Sequence, residues 1–258
     1  MMNISAPDTS RAGRVADLAL LGLSLALVCG LKFHLSRATS DELGWLLGPL
    51  ARVVGVLSGY AFHAESGAGY VREDGLLVIA PVCGGGNFLL AILLVAIGTV
   101  FVNPASPGRR LRRLAAAAGA AVLFALVINA LRVTLAITCY DLHLSWGWLT
   151  SSRLHRLSGV LLFFPALLAY GLLVQRMIAG CRQGRVLPLC LGAYLGVALA
   201  MPLLNGAGRN AGTGVLEHAL TLLLGCAFCV GIFLVFQAGR RKCGRTGRTE
   251  QGTLSLSA

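Results

Sequence analysis

Apolar residues fall along this chain in long runs separated by short polar or basic stretches. Six runs, at about 16–35, 84–102, 114–137, 156–176, 187–204 and 215–236, approach the ~20 residues that carry an α-helix across a bilayer. The pattern therefore predicts an all-α, polytopic membrane bundle of about six transmembrane helices. A seventh stretch, "LGWLLGPLARVVGVLSGY" at 43–60, is amphipathic and holds Pro49 and Arg52. It reads as an interfacial or re-entrant helix rather than a span. Residues 69–80, "GYVREDGLLVIA", read as a β-hairpin, with arms Tyr70–Glu73 and Leu76–Ile79 around an Asp74-Gly75 turn. That hairpin needs a surface to pack on, and 43–60 is the candidate. The chain thus divides into an N-terminal tail (1–15), a membrane core (16–176), two additional spans (177–238) and a basic, disordered tail (239–258).

Composition agrees with the runs. Hydrophobic residues make up 56% of the 258 and charged residues only 12%, with a mean hydropathy of +0.77. A soluble domain is about a quarter charged, so this chain lacks the polar side chains to cover a globule. The net charge of +12 would point to nucleic acid in a soluble protein, but its placement points elsewhere. With six spans and a cytoplasmic N-terminus, fourteen of the 22 Lys and Arg fall on one side: Arg11 and Arg14, the "GRRLRRL" cluster at 108–114, Arg176, Arg182, Arg185 and the tail. This is the positive-inside distribution of a multi-pass membrane protein; no nucleic-acid partner is expected. If 43–60 spanned, the basic loops would not share a side.

The eight cysteines show no zinc-type spacing and no disulfide framework. Cys226 and Cys229 form a C-x-x-C inside an apolar run, where packing is the stronger reading. "CYDLHL" places Cys139, Asp141 and His143 together without a further ligand cluster. No metal and no cofactor is expected.

Three residues far apart in sequence reach one outward-facing level under this topology. Cys83, in "IAPVCGGGNF", stands where the hairpin ends and the second span begins. A helix start favours a thiolate, and Gly84, Gly85 and Gly86 leave the sulfur unshielded. Arg132, in "NALRVTLAI", lies near the outer end of the third span, where an intramembrane cation is a functional candidate and snorkelling is the plainer alternative. His155, in "LHRLSGVLLF", starts the fourth span, with Gly159 and Phe163 on nearly the same face. A neutral imidazole takes a proton from a thiol near neutral pH. Asn129, one turn before Arg132, is placed to orient it.

This ordered trio resembles the exosortase/archaeosortase family of membrane cysteine transpeptidases. The matching residues are "APVCGGGNF" around Cys83, "NALRV" around Arg132 and "LHRLSGVLLF" around His155, within about residues 43–176 plus a matching first helix. The stretch "ESGAGYVREDG…IAPVCGGGNF" is most similar to the exosortase K branch. Members often carry Ser or Ala and then Gly after the cysteine, whereas this chain has Gly84-Gly85. The resemblance implies an exosortase-like catalytic core over 16–176 and a catalytic set of Cys83 (nucleophile), Arg132 (electrostatic clamp) and His155 (base, then acid). Gly84, Gly85, Asn87 and Asn129 become substrate-binding or supporting residues. It implies substrates that are secreted proteins ending in a Pro-Glu-Pro-like motif, a transmembrane helix and a basic tail, cleaved on the extracytoplasmic side through a thioester and passed to an acceptor. The alternative from the residues alone is a non-enzymatic transporter or assembly factor for surface polysaccharide, with Arg132 as an anion site. No duplicated halves of the transporter type occur.

Overall fold

Uniformly apolar sequence dictates the centre of this molecule. In the computed structural model, which describes residues 11–142, 151–179, 186–200 and 219–235 (without the side chains of 11, 12, 151–156, 179 and 200), helix α3 (Gly86–Val102) is hydrophobic on every face. A helix of that kind belongs in the interior. Helices α1 (Arg11–Arg37), α4 (Pro107–Asp141), α5 (Ser151–Ala179) and α6 (Val186–Leu195, continued by a π turn at Gly196–Ala200) surround it. Its Phe88–Ile92, Val95 and Ala96 form one core with Ala121, Phe164, Leu167, Tyr170 and Cys190. By contrast α1 leaves Leu18, Leu23 and Leu27 exposed, as a helix facing lipid does. The last described helix, α7 (Ala219–Val235), brings Gly225 against Val160 of α5.

Four helices are long and apolar enough to cross a membrane: Gly13–Arg37, Pro81–Val102, Pro107–Asp141 and Leu157–Ile178. The six spans expected from the sequence are not matched by six helices of that length. The stretches 187–204 and 215–236 form shorter apolar helices, Val186–Leu199 and Ala219–Val235, which border residues outside the described set. The tails 1–10 and 236–258, and the bends 143–150 and 180–185, also lie outside it.

Stretch 43–60 is helix α2 (Gly44–Ser58), which ends on left-handed Gly59. Its Leu47, Leu50, Ala51 and Val54 are buried with Ala130, Val133 and Ile137 of α4. Its 15 residues rise only about 22 Å, short of the ~30 Å hydrocarbon core. The hairpin is present as β2 (Gly69–Arg72) and β3 (Val78–Ile79), with Tyr70 opposite Ile79 and Val71 opposite Val78. Its first arm lies one residue earlier than expected and its second is shorter; the Asp74 carboxylate caps the turn by accepting from the Leu76 amide at 2.9 Å. A further strand, β1 (Phe62–Glu65), joins it in the antiparallel order β1-β2-β3. The sheet packs on α2, and Gly48 gives the space in which the Tyr70 hydroxyl lies, 2.7 Å from where a Cβ would stand.

Charged groups mark the two ends of α4. Near its start, Arg110 pairs with Asp17 of α1 and lies over the Phe101 ring. At its finish, Asp141 accepts from Arg72 of β2 at 3.2 Å and from the Tyr60 hydroxyl at 3.0 Å. Thirty-one residues separate the two positions, a rise of about 46 Å. The helix therefore outreaches the hydrocarbon layer and carries the sheet beyond it.

Candidate functional site

The short strand β3 delivers the chain into a single 3-10 turn, Pro81–Gly84, which holds Cys83. Proline suits the start of such a turn because it has no N–H, and an N–H at that position would find no acceptor within the turn. The Cys83 amide donates to the Ala80 carbonyl at 2.8 Å. Gly85 then adopts φ +72° and breaks the path, and α3 begins at Gly86. Cys83 thus stands just before the membrane helix rather than in its first turn, the place expected for it. Its side chain is half-buried and its thiol is free.

One residue of α4 packs on this turn, and a second, almost one turn further on, lies within electrostatic range of it. Asn129 is 2% exposed, and its amide nitrogen donates to the Cys83 carbonyl at 2.8 Å. A Cβ on Gly85 would fall 2.6 Å from the Asn129 Cγ. Position 85 thus needs glycine twice, for its left-handed backbone and for the amide packed flat against it. The expectation that Asn129 orients Arg132 is replaced by this contact: Asn129 holds the backbone of the cysteine turn. Arg132 lies close enough to Cys83 for their charges to interact, and close enough to Tyr194 of α6 as well.

Helix α5 supplies the wall behind the arginine. The Arg132 guanidinium lies 5.1 Å from the Phe163 ring centroid, in cation–π range. Gly159, one turn earlier, also faces it: a Cβ there would stand 3.5 Å from the Arg132 Nε, an ordinary contact distance. On its other side Phe163 stacks on Phe88 of α3, with centroids 4.2 Å apart and planes within 7°. The helix that follows the cysteine turn and the helices bearing the arginine and the histidine are therefore joined through one aromatic pair and one guanidinium. His155 lies in α5 one turn before Gly159, with its side chain outside the described residues. Cys83 and Arg132 lie within electrostatic range of each other; the third member of the trio shares the helix that contacts Arg132.

The remaining expected residues have other neighbours. Gly84 is buried against Leu46 and Leu47 of α2. Asn87 is exposed and accepts from Lys32 of α1 at 3.4 Å. Asp141, considered with Cys139 and His143 as a metal site, gives its carboxylate to Arg72 and Tyr60, and His143 lies outside the described residues. Sequence reasoning missed Phe88 and Tyr194. Phe88 carried a signal, as the first large residue after the glycine run; Tyr194 had none, because its helix lies outside the ordered motifs.

Beyond the membrane level the sheet is held to α4 by charge. Arg72, 4% exposed, bridges Asp74 at 2.6 Å and Asp141 at 3.2 Å, with its guanidinium 4.4 Å from the Tyr60 ring centroid. The hydrogen bond from Arg72 and the Leu76 amide hold the Asp74 carboxyl below its ordinary pKa. The bond to Asp141 and the negative charge there raise the Tyr60 hydroxyl above its ordinary value. The chain matches no protein-family model, no curated protein and no solved structure.

Proposed function

We propose that this chain is a membrane-embedded cysteine transpeptidase of the exosortase type, multi-pass in a bacterial inner membrane, with its site facing the periplasm or exterior. In this reading 187–204 and 215–236 complete six spans. The substrates are secreted proteins ending in a short sorting motif, an apolar helix and a basic tail. One observation carries the reading: a half-buried free thiol sits in a turn that Asn129 holds rigid, with the Arg132 cation within electrostatic range.

The chemistry follows from those groups. His155 takes the Cys83 proton, and the thiolate forms a C–S bond to the carbonyl carbon of the scissile amide. Charge that develops on the carbonyl oxygen is met by the Arg132 guanidinium, which lies against the Phe163 ring. The C–N bond breaks, and the leaving amine takes the proton from His155. The resulting thioester is attacked by an acceptor amine or by water. The C–S bond breaks, and the acceptor's proton returns through His155 to the sulfur.

The test is Cys83→Ala in cells that also make a secreted reporter ending in motif, apolar helix and basic tail. Full-length reporter should accumulate, while the variant inserts in the membrane at the wild-type level. Normal processing by that variant overturns the reading.

A further inference from the structure

The small sheet has two edges, and one of them runs into the cysteine turn. The order β1-β2-β3 leaves β3 without a strand on its outer side among the described residues. An antiparallel ladder alternates: a pair that exchanges N–H and C=O bonds is followed by a pair whose groups point away from each other. The Arg72 amide donates to the Leu77 carbonyl. The next bonded pair is therefore Tyr70 with Ile79, and Val71 and Val78 between them point their groups apart. Val71 turns its groups toward His63 of β1, whereas Val78 turns its N–H and C=O to the open side. Ala80, two residues on and still extended (φ −87°, ψ 170°), turns its N–H the same way. The Ala80 carbonyl accepts from the Cys83 amide. The open side thus presents a donor, an acceptor and a second donor at the repeat of an extended chain, and the last of these residues is tied to the cysteine turn.

A row of that kind selects its occupant. A lipid chain has neither donors nor acceptors, and an ion does not match both. Another extended backbone matches each group in turn. Edges that are left to solvent are commonly guarded by charge or proline. Strand β1, at the opposite edge, carries Glu65; residues 76–80, "LLVIA", carry neither guard. Val78 is 42% exposed and Val82, beside the cysteine, 84%.

We infer that β3 is where the substrate docks: an extended peptide pairs with Val78 and Ala80 as a further strand, parallel to β3, and is led along it to Cys83. The inference rests on the proposed role of Cys83 as nucleophile. The direction follows from the proposed substrate, whose chain enters the bilayer after its motif, as this chain does after β3. In a parallel pair one substrate residue gives its N–H to the Val78 carbonyl and takes the Ala80 N–H on its own carbonyl, while its two neighbours face away. Cys83 lies about 6 Å beyond Ala80 along the 3-10 turn, a distance that an extended peptide covers in about two residues. The bond attacked therefore falls about two residues beyond the one that is held.

The test uses the full chain in cells with the reporter that ends in motif, apolar helix and basic tail, and runs Cys83→Ala beside it. Val78→Pro removes the outward N–H and leaves the bonds to β2 in place. Processing should slow about fivefold, the factor that one ordinary hydrogen bond supplies. Ala64 turns outward at the edge of β1 by the same alternation, since the Glu73 amide donates to the Ala61 carbonyl. Ala64→Pro should process at the wild-type rate. In nanodiscs, Val78→Pro should keep wild-type exchange protection of the Arg72 amide and wild-type labelling of Cys83 by chloroacetamide. Wild-type processing by Val78→Pro overturns the inference, as does equal slowing by Ala64→Pro or a slowing matched by an equal loss of Cys83 labelling. If Val78→Pro loses the Arg72 protection, the reporter decides. Proline is placed in turn at each residue before the cleaved bond and compared there with alanine. Loss confined to alternate positions supports docking on β3; loss at adjacent positions, or at none, overturns it. A Val78→Cys chain that crosslinks to a second copy under oxidation, where the wild-type chain does not, gives the edge to that copy and also overturns it. Normal processing by Cys83→Ala ends the nucleophile reading instead, whatever the Val78 variants do.

Discussion

Two regions of this molecule are fastened to its core by opposite means. The sheet at the outer end of α4 is held by charge: Arg72 between Asp74 and Asp141, with Tyr60 on the same carboxylate. Helices α6 and α7 are held by fit. Gly98 receives Leu189, Gly171 receives Val186 and Cys190, and Gly225 receives Val160. Each means suits its surroundings. In lipid, apolar side chains gain little by leaving one apolar medium for another, so close packing over small residues drives association. Outside the hydrocarbon layer such a small sheet buries too little apolar surface to stand alone, and a guanidinium shared by two carboxylates fixes its position. Between these regions lies the cysteine turn, fed by the sheet and braced by α4.

That turn is where the largest effect is expected. Gly85→Ala places a side chain in a left-handed backbone, a strain of about 1–3 kcal/mol, and drives its Cβ into the Asn129 amide. Relief requires Asn129 to release the Cys83 carbonyl. The alkylation rate of Cys83 by unsubstituted chloroacetamide should change, and reporter processing should fall to the level of Cys83→Ala. The thermal stability of the helix bundle should fall much less, because the bundle core lies below the turn. Equal loss of both would mean that the turn supports the whole fold rather than the site.

The packed region gives a graded test. A Cβ at Gly171 would meet Val186 Cγ1 at 2.9 Å, Cys190 Sγ at 3.0 Å and Val95 Cγ1 at 3.3 Å, on three sides. Two of these belong to stiff β-branched residues. Gly171→Ala should cost about 1–3 kcal/mol by overpacking, seen as a lower midpoint in thermal unfolding of detergent-solubilised protein. A Cβ at Gly98 meets only the flexible end of Leu189, at 2.5 Å. Gly98→Ala should be close to neutral, because the rotation of Leu189 is offset by about 1 kcal/mol of helix propensity. If the order is reversed, α6 is not held by the Gly171 contact.

What the sequence made legible followed from local signals. Asp74-Gly75 marked the hairpin turn, and the apolar run after Gly86 marked the central helix. The amphipathic pattern of 43–60 marked a helix that would not span, and α2 is one. Strand β1 was hidden because "FHAE", although it alternates apolar and polar residues, is only four residues long and has one large apolar side chain; Asp41 steadies the turn that follows it, through Ser66 at 2.9 Å and Gly67 at 3.2 Å. The count of spans was illegible for a related reason. Hydropathy measures how apolar a run is, while the length of a helix depends on where its ends are fixed. Among the site residues, alternating spans led to the expectation that Cys83 and Arg132 share a level, and the two lie within electrostatic range of each other. The bond from Asn129 to the Cys83 carbonyl did not, because register between two helices is a property of packing.

The smallest expected effect probes the charged region and is a dependence on pH with two edges. Asp74 has a folded pKa below its ordinary value of 3.8. Its contribution is complete above the ordinary value and is lost as pH falls through the folded one. Tyr60 has a folded pKa above its ordinary value of 10.0. Its contribution is complete below the ordinary value and is lost as pH rises through the folded one. Protection of the Arg72 amide, which donates to the Leu77 carbonyl across the hairpin at 2.9 Å, should therefore be flat between about pH 4 and pH 10 and fall on both sides. Hydrogen exchange, corrected for intrinsic rates, reads this directly. Asp74→Asn should remove the acid edge and leave the alkaline one, whereas Tyr60→Phe should do the reverse. Cys83 labelling in the same samples adds a second readout, because β3 pairs with β2 and leads into the cysteine turn. If the sheet sets the position of that turn, the labelling rate should change at the same two edges. A rate that stays flat while the Arg72 amide loses protection would show that Asn129 alone holds the turn, and that the two regions are independent.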